Sequence, residues 1–309
     1  MALEALLKRC RAWKHRHLLG TKDLSPDDIS LVLDVAEELS ALKDVAPLKG
    51  LRLFNFFVEP STRTKTSFAL AARRLGAEVV DFSPSNSSLT KGESLKDTAR
   101  TIESMGVAFT VIRHSASGAP AFLSRLVQSA VINAGDGANE HPTQALLDLL
   151  TMRQRLGRIT GLRVALVGDI THSRVARSNL WALKKLGNRV TLVGPATLVP
   201  RDLDAEVSHD FDAALRENDV VMMLRLQLER QQAGLFPSSS EYVHFFGLTR
   251  ERLETLKNGT IIMHPGPMNR GLEISAEAAD SSRSVILNQV SNGVSIRAAV
   301  LLLLSQVTA

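Results

Sequence analysis

The chain has 309 residues, 44% of them apolar and 22% charged, with a net charge of +5 and a single cysteine. This length suits two domains of about 150 residues; the longest apolar stretch, residues 298–304, is too short to cross a bilayer, and one cysteine excludes an internal disulfide and a cysteine-based zinc site. Basic residues are interleaved with acidic ones, and one tyrosine with two tryptophans gives bases little to stack on, so the positive excess fits small polyanions better than nucleic acid.

Near the N-terminus Lys8, Arg9 and Arg11 follow an apolar stretch, the reverse of a secretory signal, so a cytoplasmic location is expected. Residues 51–58 read as a buried strand. After it comes Glu59-Pro60-Ser61-Thr62-Arg63-Thr64-Lys65, where Ser61 is placed to cap a helix whose apolar side carries Phe68, Ala71, Ala72 and Leu75. A helix N-terminus presents unpaired N–H groups and a favourable dipole, the hydroxyls of Ser61, Thr62 and Thr64 add donors, and Arg63 adds a planar fork. Together these form a phosphate cradle.

A strand over 77–82 leads to a polar loop carrying Lys91, and an amphipathic segment follows over 94–105. The strand at 107–113 ends in Arg113 and His114. The strand at 130–134 leads to Glu140-His141-Pro142-Thr143-Gln144, where proline at the first helical position makes His141 the cap and puts Gln144 in the first turn. The helix over 142–156 separates two strand series. In the second, strands are expected at 162–168, 189–194, 220–226, 260–264 and 285–287, with a helix over 173–186 and a closing helix over 292–306. Alternation of this kind predicts an α/β fold with two doubly wound parallel-sheet domains joined by helices.

Ligands of such sheets bind at the carboxyl ends of strands. Asp169 to Arg174, Arg225 with Gln227, and His264-Pro265-Gly266-Pro267 all occupy such positions, and Arg174 with Arg225 can hold a dicarboxylate. The glycine patterns of dinucleotide and nucleoside-triphosphate sites are missing from these turns.

Ser61-Thr62-Arg63-Thr64, His141-Pro142-Thr143-Gln144, Asp169-Ile170-Thr171-His172-Ser173-Arg174, Arg225-Leu226-Gln227 and His264-Pro265-Gly266-Pro267 occur in the order found in aspartate carbamoyltransferase catalytic chains, and the chain resembles that family over nearly its whole length. The resemblance implies the transcarbamoylase fold, with 1–141 and 292–309 binding carbamoyl phosphate and 142–291 binding aspartate. It implies transfer of the carbamoyl group to L-aspartate, giving N-carbamoyl-L-aspartate and phosphate in de novo pyrimidine (UMP) biosynthesis, without metal or organic cofactor. Ser61, Thr62, Arg63 and Thr64 would bind phosphate; Thr64, Arg113 and His141 would face the carbonyl oxygen; Gln144 and the backbone at Gly266 and Pro267, across a cis bond, would hold the amide. Arg174, Arg225 and Gln227 would bind aspartate. Lys91, with Ser87 or Ser88, resembles a loop that enters the neighbouring subunit's site in a cyclic homotrimer; a gap-free alignment on Lys91 selects Ser87. The resemblance also admits regulatory chains or dihydroorotase as further partners. An ornithine-type transcarbamoylase is the nearest alternative, but its His-Cys-Leu-Pro signature is replaced by His264-Pro265-Gly266-Pro267, and its usual arginine after the second threonine by Lys65. A catalytically silent scaffold would be expected to lack parts of the phosphate site, all of which are present.

Overall fold

A computed structural model describes residues 2–43, 45–82, 92–227 and 238–308. The chain forms two compact units, Met1–Leu147 with Ser291–Ala309, and Asp148–Val290. The division falls inside the helix Pro142–Leu156, between Leu147 and Asp148, a few residues beyond the expected boundary before Pro142. A continuous helix offers no linker at which chain composition could mark the change.

In the first unit the strands are β1 (Arg52–Phe57), β2 (Glu78–Asp81), β3 (Phe109–His114) and β4 (Ala130–Asp136). They form an all-parallel sheet in the order β2-β1-β3-β4. From Leu53 to Phe57 β1 is buried throughout, the pattern of a strand covered on both faces. Phe54, Phe56 and Phe82 form an aromatic cluster, with Phe56 and Phe82 edge to face at 4.9 Å between centroids. Ala99, Ile112, Leu123 and Val131 complete that side of the core.

The second unit contains β5 (Arg163–Val167), β6 (Arg189–Val193), β7 (Glu206–Ser208), β8 (Val220–Met223) and β9 (Ile261–Met263), again all parallel, in the order β7-β6-β5-β8-β9. Three-residue β7 was not anticipated, because it is an edge strand with mostly exposed side chains and no apolar run. Val167, Val193, Phe211, Leu215, Val221 and Met223 are among its buried core.

Both sheets are doubly wound, and each has one place where strand order reverses: between β1 and β3, and between β5 and β8. Right-handed crossovers carry the chain to opposite faces on either side of such a point, leaving a crevice at the carboxyl ends of the two strands.

The expected strand at 285–287 is instead the start of the last helix, Ile286–Thr308, which therefore begins earlier than residue 292. Ser284 makes only an isolated bridge to Ile262, and a three-residue apolar run is too short to distinguish the two states by periodicity. This helix is long and apolar enough to cross a membrane by composition, yet 67% of its most apolar window is buried within the protein, including residues 298–304. It serves as a core helix.

Candidate active site

The first unit places its polar residues at the β1/β3 switch point and the neighbouring end of β4. Ser61 is the N-cap of helix Thr62–Arg74, with extended backbone (φ −163°, ψ 102°), but its side chain makes no capping hydrogen bond. Other cap residues do: Ser25, Ser94, Ser173, Asp210, Ser238, Thr249 and Ser275 each accept from the backbone N–H three residues on. The Ser61 hydroxyl is thus kept from the role its position would normally give it. Thr62 and Arg63 are exposed beside it, whereas Thr64 is buried. Lys65 turns away, its Nζ lying 3.5 Å from Asp81 at the end of β2.

Arg113 is the last residue but one of β3, in register with Phe57. Its Nε lies 3.4 Å from Glu59 and its Nη1 donates to the Ala134 carbonyl at 3.2 Å, so its guanidinium is held between the loop after β1 and the end of β4. The backbone supports this arrangement, since Val58 N–H donates to the Arg113 carbonyl at 3.0 Å. His141 and Gln144 are both buried, with Pro142 opening the helix as expected. Because β1, β3 and β4 are adjacent and parallel, Ser61 to Thr64, Arg113 and His141 all lie at the same edge of one sheet.

In the second unit the switch point carries the remaining groups. The Gly168 backbone has φ +126°, and a Cβ there would lie 2.9 Å from the Leu224 carbonyl, so only glycine lets the turn after β5 approach the end of β8 so closely. Asp169 follows, fully buried, accepting from the His172 backbone at 3.2 Å and facing His172 Nδ1 at 2.9 Å. Ser173 caps helix Arg174–Lys185, which puts buried Arg174 at its first position. Arg225 and Gln227 follow β8, and Gln227 Nε2 donates to the His172 carbonyl at 2.9 Å. That contact ties the two loops on either side of the switch point together. One amide N–H of Gln227, assigned to aspartate by resemblance, is therefore engaged within the protein.

The Gly266–Pro267 bond is cis, as the resemblance implied. Its loop rests on a buried polar chain with a fixed direction. Asp148 accepts from Gln289 Nε2 at 2.8 Å, and Gln289 Oε1 accepts from His264 N at 2.9 Å. Gly266 N donates to His264 Nδ1 at 2.8 Å, which leaves the ring proton on Nε2 to face Glu273 at 3.0 Å. Tyr242 lies beneath the Gly168 turn, its phenol pushed well above the usual tyrosine range by burial, with Glu273 and Asp169 adding to the shift.

Ser87, Ser88 and Lys91 lie outside the described residues. Asp136, Glu140, Asp148, Glu273 and Gln289 were not singled out in the sequence, because a buried carboxylate or amide looks like a surface one until its donors are known. Only Glu140 carried a signal, its place directly before His141. Among the described residues no group of three His, Cys, Asp or Glu side chains is placed to hold a metal ion.

Residues 16–154 match the family model described as aspartate/ornithine carbamoyltransferase, carbamoyl-P binding domain, and residues 160–304 the one described as its Asp/Orn binding domain. The aspartate carbamoyltransferase catalytic subunit of Halothermothrix orenii is 53% identical over 302 residues, covering 95% of this chain and 96% of the relative. That of Thermobifida fusca is 55% identical over 297 residues, covering 94% and 95%. Aspartate transcarbamoylase from Trypanosoma cruzi in complex with N-(phosphonacetyl)-L-aspartic acid superposes with a TM-score of 0.87 at 32% identity, covering 94% of this chain and 96% of that one. The same protein bound to carbamoyl phosphate and aspartate gives 0.85 at 31%, with the same coverage.

Proposed function

This chain belongs to the aspartate/ornithine carbamoyltransferase family, and from that premise we propose that it transfers the carbamoyl group of carbamoyl phosphate to the amine of L-aspartate, giving N-carbamoyl-L-aspartate and phosphate in de novo pyrimidine (UMP) biosynthesis. The observation that carries this reading is the division of polar groups between two switch points, with hydroxyls and an open helix end at one and Arg174 with Arg225 at the other. Relatives named for the aspartate reaction, and a structural neighbour bound to both substrates, support the choice of amine.

Ser61, Thr62, Arg63 and Thr64 take the phosphate oxygens. Thr64, Arg113 and His141 meet the carbamoyl oxygen, Gln144 and the backbone at Gly266 and Pro267 hold its amide, and Arg174, Arg225 and Gln227 take the aspartate carboxylates. The uncharged amine attacks the carbamoyl carbon, forming the new C–N bond as negative charge gathers on the carbonyl oxygen. Arg113 and His141 donate to that oxygen as the charge develops, which is the main electrostatic contribution. The C–O bond to phosphate then breaks, and the departing phosphate takes the proton released by the amine. Lys91 and Ser87 complete the site of a neighbouring subunit in a homotrimer, and the cytoplasm supplies both substrates.

Separate variants test the division. Arg225→Ala is expected to raise KM for aspartate about tenfold to a hundredfold, the scale of losing a charge-assisted hydrogen bond, with carbamoyl phosphate affinity nearly unchanged. Arg63→Ala should do the reverse. Equal losses for both ligands in both variants would overturn the reading.

A further inference from the structure

The loop that delivers His141 is built on two buried carboxylates. Asp136, at the end of β4 and fully buried, accepts from Gly118 N at 2.7 Å, Asn133 Nδ2 at 2.8 Å, Asn139 Nδ2 at 3.0 Å and Glu140 N at 3.1 Å. Glu140, 5% exposed, turns its own carboxylate toward an unrelated part of the chain, 119 residues away in sequence. Its Oε2 accepts from Thr21 N at 2.7 Å and Thr21 Oγ1 at 2.8 Å, and its Oε1 from Lys22 N at 3.3 Å. The fit is close: a Cβ on Gly20 would lie 2.2 Å from Glu140 Oε1.

Such an arrangement asks for a carboxylate specifically. Both oxygens face donors, and a carboxylate is the side chain that only accepts. Glutamine would keep an acceptor for Thr21 but turn its NH2 group against the Lys22 N–H. Glu140 is therefore clamped on every side: its N–H donates to the Asp136 carboxylate, its carbonyl, which begins the peptide to His141, accepts from Asp136 N at 3.2 Å, and its side chain is held by residues 21 and 22. His141 follows immediately, so any shift of Glu140 is passed to the imidazole through one peptide bond.

We propose that Glu140 is a positioning residue for His141, fixing the imidazole by holding the loop after β4 against the Thr21–Lys22 turn. This rests on the proposed role of His141 at the carbamoyl oxygen. A displacement of about 1 Å at a reacting group can cost on the order of a hundredfold in rate, so a clamp this close to the chemistry is consequential.

A double-mutant cycle with Glu140→Gln and His141→Ala separates positioning from general support of the fold. Turnover, KM for each substrate and thermal midpoint are measured for the two single variants and the double. Glu140→Gln is expected to lower kcat about tenfold to a hundredfold when His141 is present, and by less than about twofold when His141 is already alanine. An equal factor in both backgrounds, or an unchanged kcat, would overturn the proposal. If His141→Ala alone keeps normal turnover, the role assigned to His141 fails first, and this inference with it. Should Glu140→Gln not fold, Thr21→Val removes the hydroxyl donor while keeping the backbone one, and the same non-additivity is expected of it.

Discussion

Tyr242 is the chain's single tyrosine, so its ionisation can be followed without interference from other phenols. Burial raises its pKa above the ordinary value of about 10, with Glu273 and Asp169 pushing in the same direction. A raised acid favours the folded state while it stays neutral: the contribution is fully present below about pH 10 and is lost as pH climbs above it, because the unfolded chain then releases a proton that the folded one keeps. Tyrosinate absorbance should therefore appear together with loss of structure, not before it. Ionisation of a still-folded chain near pH 10 would contradict the burial of this phenol beneath the Gly168 turn. At this scale the sequence was informative where a residue's type is unusual for its position, as with Arg63 after a strand or His141 before a helical proline. It was silent on Glu273, Asp148 and Gln289, whose meaning lies in partners 9 to 141 residues distant.

Among elements, the helix Thr62–Arg74 differs from its neighbours in leaving its cap side chain out of the capping scheme. Two substitutions separate the consequences. Ser25→Ala removes a capping box and should lower stability by about 1 kcal/mol with activity retained. Ser61→Ala should leave the thermal midpoint nearly unchanged but weaken carbamoyl phosphate binding several-fold, since the hydroxyl it removes supports no helix. A loss of stability at Ser61 matching that at Ser25 would return Ser61 to ordinary capping. Elements with a strong period or a clear punctuation mark were readable, as β1, β5 and the Pro142–Leu156 helix illustrate. The segment at 285–287 was misread because three apolar residues satisfy either period, and β7 escaped because an exposed edge strand carries no apolar signal.

For the whole molecule, strand alternation alone pointed to two parallel sheets, but the order of strands, and hence the switch points at β1/β3 and β5/β8, came only with the structure. Sequence patterns point to strands that carry an apolar run; neighbours in a sheet are chosen by tertiary packing. Lys91 belongs to this scale, through its proposed place in a neighbouring subunit. Mixing Lys91→Ala chains with Arg63→Ala chains should yield activity well above that of either alone, because some sites in a mixed trimer then draw an intact lysine from one chain and an intact arginine from another. No gain on mixing, with mixed assemblies present, would mean that each chain builds its own site. The most direct test of the central assignment is the identity of the carbamoylated product. Purified chain given carbamoyl phosphate labelled in its carbamoyl carbon, with equal amounts of L-aspartate and L-ornithine, should place the label in N-carbamoyl-L-aspartate alone, and label accumulating in carbamoyl-ornithine instead would contradict the account.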